Sequence, residues 1–382
     1  MTATLNNLET EHPPRTPFQE SWRLLRKNKL ALCGLAIFLL FAVTALMGFF
    51  LTSGPNPIFN PATIRLEEKL RQPLSLPKVD ELHEEDLPRL GIYLFGTDDL
   101  GRDVFARMLQ GAWVSLTVGF VAVGIAIIIG VFLGGVAGYF GHKRVRVDQI
   151  GAIVLLFLGP VLISTGHQFY GILLIAAILG HLKFAKRIYR PLISNPSNWL
   201  SLPFKETILV DTVVMRFVDI MLCFPSFFLI LTVVALLPAS IYNIMIIIGL
   251  TSWMGATRFV RAEFLSLREL DFVTAAKALG ISDWRIIFRH MLPNAIAPVL
   301  VSATIGIASA ILTEAGLSFL GFGVPPPHAT WGNILSNGKR FIFDAPWLTF
   351  IPGFFILIVV LSFNLFGEGL RDILNPKLRE RH

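Results

Sequence analysis

Charged residues are scarce in this sequence, and their scarcity excludes a soluble globule. They make up 15% of the 382 residues, whereas hydrophobic residues make up 54% and the mean hydropathy is +0.65. Soluble domains carry about a quarter charged residues, so too few polar side chains are present to cover a soluble surface. The apolar residues fall in long continuous blocks, not in the alternating ten-residue strands of a membrane barrel. The sequence therefore predicts an all-α polytopic membrane protein.

Cysteines and catalytic motifs are also scarce. Cys33 and Cys223 lie in apolar stretches, so we interpret them as small core or lipid-facing residues that give no information on the redox compartment. H-E-x-x-H, C-x-x-C and G-x-S-x-G are missing, so we predict no catalytic residue, no metal site and no cofactor bound by this chain. The segment 332–339 ends in Gly-Lys but has one residue too many for a phosphate-binding loop, and Arg340 follows it. We therefore predict that this chain carries no ATPase site of its own.

Basic residues are in excess, with a formal net charge of +7. They lie in short runs beside apolar segments and do not form a stripe interleaved with aromatic residues. This distribution indicates membrane topology, and we predict contact with membrane lipid and no binding of nucleic acid.

Six apolar runs are near the 20 residues that span a hydrocarbon core of about 30 Å. Lys and Arg accumulate on the cytoplasmic side of spans, so the basic run at 23–29 predicts a cytoplasmic N-terminus. Six alternating crossings then place each later basic cluster, and the C-terminus, in the cytoplasm. The predicted spans are 30–51, 113–138, 217–237, 240–257, 295–313 and 346–367.

The predicted organisation follows from these spans. It comprises a cytoplasmic segment 1–29, a first transmembrane helix 30–51, an extracytoplasmic loop 52–112, a transmembrane core 113–367 and a cytoplasmic tail 368–382.

A further apolar region at about 149–182, within 141–211, does not fit simple alternation. One extra span would invert everything downstream, and two full spans need about 40 residues, more than the region offers. We predict a short hydrophobic hairpin or re-entrant element that turns near 166–168, or a pair of cramped, tilted spans. Both alternatives leave the two flanks in the cytoplasm.

The stretch 258–293, between the fourth and fifth predicted spans, is too charged to cross a membrane but rich in helix formers. Ala275, Ala276 and Leu279 fall on one face of a predicted helix, and Gly280 is a natural helix stop. From the residues alone, this stretch is as compatible with a solvated loop as with a surface on which a partner docks.

A second short helix, 284–291, is predicted after the bend. Ser282 or Asp283 can cap its start, and Pro293 is expected to end it. The two helices would then form a bent pair on the cytoplasmic face.

The stretch 258–293 resembles the EAA loop of ABC importer membrane subunits, and we call it the EAA segment. The family pattern is Glu-Ala-Ala, three residues, Gly, nine residues, Ile, one residue, Leu-Pro. Thr274 replaces the Glu and His290 replaces the Ile, and His290–Asn294 has the form typical of the oligopeptide/dipeptide/nickel branch. The positions that match at the family spacing are Ala275, Ala276, Gly280, Leu292 and Pro293.

Four other stretches are similar to the C-type permease subunit of that branch: 26–38, 94–119, 314–335 and 363–376. The region 141–211 is not part of this resemblance and is interpreted as an insertion between the second and third spans of the family pattern.

The resemblance implies the transmembrane domain of a type I ABC importer, with about six spans and the extra hydrophobic element. It implies four partner subunits: a second homologous permease subunit, two ATPase subunits that use ATP and Mg²⁺, and an extracytoplasmic solute-binding protein. The residues expected to couple this chain to the ATPases are Asp271, Ala275, Ala276, Gly280, Leu292 and Pro293.

Other charged residues are weaker candidates. A turn-prone group, Asp98, Asp99, Arg102 and Asp103, is expected either to contact the binding protein or to pack as a solvated loop. Glu314, near the outer end of the fifth span, is expected to line the path or to pair with an arginine, because an isolated charge is costly there.

The substrate class implied by the resemblance is di- or oligopeptides, with nickel chelates or other small solutes as the alternative within the family. A secondary transporter is the main rival, but it would need ionisable residues near mid-membrane, which the apolar runs almost lack.

Overall fold

The computed structural model describes residues 23, 25–78, 87–146, 170, 172–180 and 206–374. Over these residues the chain is predominantly helical, with one two-stranded sheet. It forms two compact units. Unit 1 comprises Met1–Ile129, Phe224–Phe259 and Ala295–His382, and unit 2 comprises Gly130–Cys223 and Val260–Asn294.

Within the described ranges, five helices are long and apolar enough to cross a membrane, and a bent pair makes six if it counts as one span. This confirms the all-α polytopic prediction. The helices in chain order are α1 Lys29–Thr52, α2 Val104–Phe140, α3 Val210–Cys223, α4 Ser226–Leu236, α5 Ile241–Leu250, α6 Trp253–Leu267, α7 Asp271–Ala278, α8 Asp283–Arg285, α9 Leu292–Phe319, α10 Trp331–Gly338 and α11 Trp347–Leu374.

The second and third spans differ from the prediction. The second span was expected to start at residue 113, but helix α2 begins at Val104. A hydropathy window counts the charge of Arg107 as a break in the apolar run, whereas in the structure this charge is paired and buried. The third, expected as a single run over 217–237, is the pair α3 and α4, which meet at Pro225. Proline lacks the N–H that an uninterrupted helix needs and so explains the break.

The fifth span also starts earlier than predicted. Pro293 was expected to end the second short helix, but the helical chain runs on from Asp283 to Phe319. Residues Ile286–Met291 form a π-helical stretch that is separated from Pro293 by Leu292, and the N–H of Leu292 donates to the carbonyl of Ile287. The π-helical turn is wider than an α-helical turn, so it accommodates the ring of Pro293, which would otherwise collide with the preceding turn of the helix.

Unit 1 is held together by close helix packing at glycines. A Cβ on Gly34 of α1 would lie 2.8 Å from the Phe366 nitrogen and 2.9 Å from the Ser362 carbonyl oxygen of α11. Next to this contact, the Phe38 and Phe363 rings lie 5.0 Å apart. Small residues let apolar helices approach, which is how such helices gain packing energy in lipid.

Helix α10 of unit 1 begins with a capping box. Thr330 Oγ1 accepts from the Asn333 N–H and Asn333 Oδ1 accepts from the Thr330 N–H, both at 3.0 Å. The next residue, Trp331, is fully buried and its Nε1 donates to the Met108 carbonyl oxygen at 3.2 Å. These bonds fix α10 against the start of α2.

Unit 2 contains the sheet. Strand β1 (Arg144–Arg146) pairs antiparallel with β2 (Glu206–Leu209), and Arg144 lies opposite Leu209. The two flanks of the region 141–211 therefore lie side by side. Residues 172–180 are helical, and the predicted turn at 166–168 lies outside the described residues.

Candidate functional site: the EAA segment

The EAA segment bends at Gly280, as the sequence predicts. The Gly280 N–H donates to the Lys277 carbonyl oxygen at 3.0 Å, and the Ile281 N–H donates to the Ala276 carbonyl oxygen at 3.1 Å. This is the Schellman pattern, in which the residue after the helix adopts a left-handed conformation. Gly280 has a φ of +71°, and a Cβ there would meet nothing within 4 Å. Glycine is therefore required by the backbone conformation and not by crowding.

The exposed surface of the bend is formed by α7 and the residue after it. Asp271 and Ala275 are exposed, and Leu279 keeps 80% of its surface exposed. Ala276 is buried with Val273 on the opposite side of the helix. The predicted common face of Ala275, Ala276 and Leu279 is thus wrong: Ala276 packs inward, while Ala275 and Leu279, four residues apart, face outward together.

The remaining two motif residues lie after the π-helical stretch. Leu292, half-buried, begins α9, and Pro293 is exposed in its first turn. The motif residues are therefore divided between the bend and the start of a long apolar helix, and they do not form one cluster.

We call α7, before Gly280, the first limb of the bend, and the chain from α8 onward the second limb. The second limb is hydrogen-bonded to the end of α2. Tyr139 Oη donates to Asp283 Oδ1 at 2.7 Å, and Lys143 Nζ donates to Asp283 Oδ2 at 3.0 Å. The Lys277 ammonium lies 5.0 Å from the centre of the Tyr139 ring. Both oxygens of one carboxylate are thus occupied by donors from the end of α2 and the residues just after it. We call Tyr139, Lys143 and Asp283 the brace.

Aromatic stacking extends the same contact. The Trp284 ring stacks on Phe132 of α2, with centroids 6.2 Å apart and planes 6° apart, and on Phe288 at 6.0 Å. Phe140 meets the Trp284 ring edge-on at 5.7 Å. Offset ring pairs of this kind contribute about 0.5–1.5 kcal/mol beyond the area they bury.

Helix α6, which comes before α7, is fixed to the same end of α2. Gly138 admits the Phe264 side chain, and a Cβ at Gly138 would lie 3.0 Å from the Arg261 carbonyl oxygen. Arg268 Nη1 donates to the Gly138 carbonyl oxygen at 3.2 Å. A glycine at this position of α2 thus lets the two helices approach closely.

Arg261 also forms a two-pronged ion pair with Asp211 of α3. Its Nη2 lies 2.6 Å from Asp211 Oδ2, and its Nε donates to Oδ1. Such paired bonds hold both side chains in a fixed geometry. The unit-2 part of the EAA segment is thus connected to α2 and α3 on both sides of the bend.

Sequence reasoning missed Tyr139, Lys143 and the Arg261–Asp211 pair. In the sequence, Lys143 belongs to a basic cluster that indicates only membrane topology. Nothing in the spacing of residues 139 and 283 indicates a contact across 144 positions of the chain. A buried-tyrosine partner for Asp283 could have been suspected only from the position of that aspartate directly after the bend.

The four acidic and basic candidates in unit 1 do not form one exposed surface. Asp98 is 2% exposed and Asp103 is 7% exposed, whereas Asp99 and Arg102 are half-buried. Asp98 Oδ1 accepts from the Leu100 and Arg102 N–H groups, each at 2.9 Å. Burial raises the pKa of the Asp103 carboxyl, which accepts from the Phe105 N–H at 2.9 Å. Buried Asp98 and Asp103 shape this loop, so a contact with a partner remains a prediction for Asp99 and Arg102.

Glu314 is fully buried in unit 1 and Ser318 Oγ donates to its Oε1 at 2.7 Å. Among the described residues it makes no ion pair with an arginine, so the pairing alternative left open by the sequence is not the one adopted. Its place in α9 is among the hydroxyl groups that border α10.

Comparison with known proteins identifies the family. Residues 204–380 match the family of binding-protein-dependent transport system inner membrane components, and residues 16–73 match the N-terminal transmembrane domain of oligopeptide transport permease C. A dipeptide transport system permease protein, DppC, of Alkalihalophilus pseudofirmus is 35% identical over 371 residues, which are 97% of this chain and 93% of that protein. This chain belongs to that family of transport permeases.

Other relatives are also named as permeases of peptide transport systems. The DppC protein of Haemophilus influenzae is 32% identical over 96% of this chain and 97% of that protein, and the oligopeptide transport system permease protein OppC of Bacillus subtilis is 30% identical over 93% of this chain and 88% of that protein. The permease is accordingly a multi-pass inner-membrane transport subunit and not an enzyme.

Proposed function

We propose that this permease is one of two membrane-spanning subunits of an ATP-driven importer for di- or oligopeptides. The curated relatives with the names given above support the substrate class. A second, homologous permease would complete the translocation path, two ATPase subunits would supply the energy with ATP and Mg²⁺, and an extracytoplasmic binding protein would deliver the peptide. The N- and C-termini would lie in the cytoplasm with the EAA segment.

The observation that supports this function most is the exposed bend at 279–280. An apolar side chain that is 80% exposed, Leu279, stands next to a glycine whose left-handed conformation turns the chain. In the proposed docking surface, Leu279 would supply the apolar contact at this turn. The bend and the small residue Ala275 would occupy a groove of the ATPase, with Asp271 at the start of the same helix.

Transport requires that ATP-driven movement of the ATPases reaches the membrane spans. The EAA segment would move as a lever because its second limb continues without a break into α9, through Leu292 and Pro293. Closure of the ATPase pair would then rock the spans between inward- and outward-facing states. Asp99 and Arg102 would lie on the opposite side of the membrane, toward the binding protein.

Peptide uptake by the complete importer, reconstituted in liposomes with ATP inside, tests this function. Gly280→Trp is expected to abolish uptake while the protein still inserts, because a bulky side chain is placed in the docking surface at a left-handed φ. Gly91→Trp is the matched control, since Gly91 has the same φ of +71° and equally open surroundings. Normal uptake with Gly280→Trp, or equal loss with both variants, would contradict the docking role.

A further inference from the structure

We propose that Tyr139 and Lys143 are positioning residues that transmit movement of the EAA segment to α2 through Asp283. This inference rests on the proposed function, because it names the contact by which an ATPase-driven movement reaches a second membrane span besides α9.

The brace lies at the point where such a force would pass. Asp283 is three residues beyond the bend at Gly280, and its two oxygens are held by donors at 2.7 Å and 3.0 Å. Tyr139 is 6% exposed and Lys143 lies just after the end of α2. A displacement of the bend therefore pulls or pushes directly on the last turn of a helix that is 37 residues long.

The two bonds of the brace are not equal. The Lys143 and Asp283 side chains are 63% and 41% exposed, and exposed ion pairs contribute little because water screens them. The Tyr139 hydroxyl donates to a charged acceptor from a buried ring, and bonds of that kind are roughly twice as strong as neutral ones. Tyr139 is therefore the principal link, and Lys143 holds the carboxylate in place.

Trp284 provides a second grip on the same helix. It follows Asp283 directly and stacks on Phe132, seven residues before Tyr139 on α2. The contacts at Phe132 and Tyr139 are about two helical turns apart on α2. Because the second limb is held at both points, it cannot rotate freely about either contact. In contrast, Ala275 and Leu279 of the first limb remain exposed. One limb is thus fixed to the membrane helix while the other is open to a partner.

The test uses the reconstituted importer with all its subunits and measures peptide taken up per ATP hydrolysed. Tyr139→Phe removes only the hydroxyl, and it is expected to lower this ratio about tenfold, which corresponds to about 1.4 kcal/mol of coupling. The ATPase subunits are expected to copurify in normal amount, because the exposed bend is unchanged. Tyr242→Phe is the matched control, since that tyrosine is 71% exposed.

Variants of the partner residue separate positioning from folding. Asp283→Asn keeps an acceptor for the Tyr139 hydroxyl, so it is expected to retain most of the peptide uptake per ATP hydrolysed. Asp283→Leu is expected to lower this ratio as much as Tyr139→Phe does. The double variant Tyr139→Phe with Asp283→Leu is expected to be no worse than Asp283→Leu alone, because Asp283→Leu already removes the hydrogen bond that Tyr139→Phe removes.

Two results would overturn the inference while leaving the proposed function intact. One is a normal ratio of uptake to hydrolysis in Tyr139→Phe with Gly280→Trp inactive. The other is loss of the ATPase subunits from Tyr139→Phe, which would make the residue part of docking. If Gly280→Trp were active as well, the proposed function itself would fail.

Discussion

Arg107 Nη1 lies 2.5 Å from Asp98 Oδ2, and the two side chains are 5% and 2% exposed. Asp98 Oδ2 also accepts from Arg102 Nε at 2.7 Å, so one buried carboxylate forms ion pairs with two guanidinium groups. This pair joins the loop before α2 to the first turn of that helix. It explains how a charged residue stands near the start of a membrane helix.

Breaking that pair should destabilise unit 1. Asp98→Ala leaves the buried Arg107 without its carboxylate, and loss of one partner of a buried ion pair costs about 3–5 kcal/mol. We expect a marked fall in the thermal unfolding midpoint of the detergent-solubilised permease. Asp219→Ala is the control, because its pair with Arg216 is exposed and 3.8 Å apart, so it should cost less than about 1 kcal/mol. Equal shifts in the two variants would refute the structural role of Asp98.

Leu279→Asp should separate assembly from folding. The side chain is 80% exposed, so the change should leave the unfolding midpoint of the permease almost unaltered. A carboxylate in an apolar groove is costly, so the ATPase subunits should no longer copurify. Leu76→Asp, at a leucine that is 68% exposed in unit 1, should leave the complex whole. Retention of the ATPases by Leu279→Asp would count against contact at this residue.

Gly138→Leu should disturb the packing of α6 on α2. A Cβ there already collides with the Phe264 side chain, and overpacking of a close contact costs about 1–3 kcal/mol. Gly124→Leu, on the same helix, meets nothing within 4 Å and should be tolerated. The yield and protease resistance of the two purified variants give the comparison. The close-packing account is wrong if both behave alike.

The orientation of the chain can be checked by cysteine labelling. Cys33 and Cys223 are both exposed and must first be replaced by serine. A cysteine at position 279 should react with a membrane-impermeant reagent only when the inner side of the membrane is open to it. A cysteine at position 76 should react from the outer side. Labelling of both positions from one side would exclude the proposed topology.

The sequence was most informative where a property is local. Long apolar runs predict the helices, and Gly280 predicts the bend because only a residue free of Cβ adopts its φ without strain. The break at Pro225 is equally local but was passed over, since the apolar run continues on both sides of it.

Properties that depend on distant residues could not be predicted. The inward position of Ala276 depends on what packs beneath α7, and the burial of Asp98 depends on Arg107. The brace joins residues 144 positions apart, which no periodic pattern encodes. The π-helical stretch before Pro293 likewise reflects how the surrounding helices hold the chain through a residue that usually ends a helix.

Cross-linking from position 279 tests the central claim most directly. A photoreactive residue is placed there in the complete importer, with position 76 as the control, and the products are identified by mass. We expect position 279 to cross-link to an ATPase subunit, and the yield to change when ATP is added. A product with the extracytoplasmic binding protein, or no ATPase product from an importer that transports normally, would contradict it.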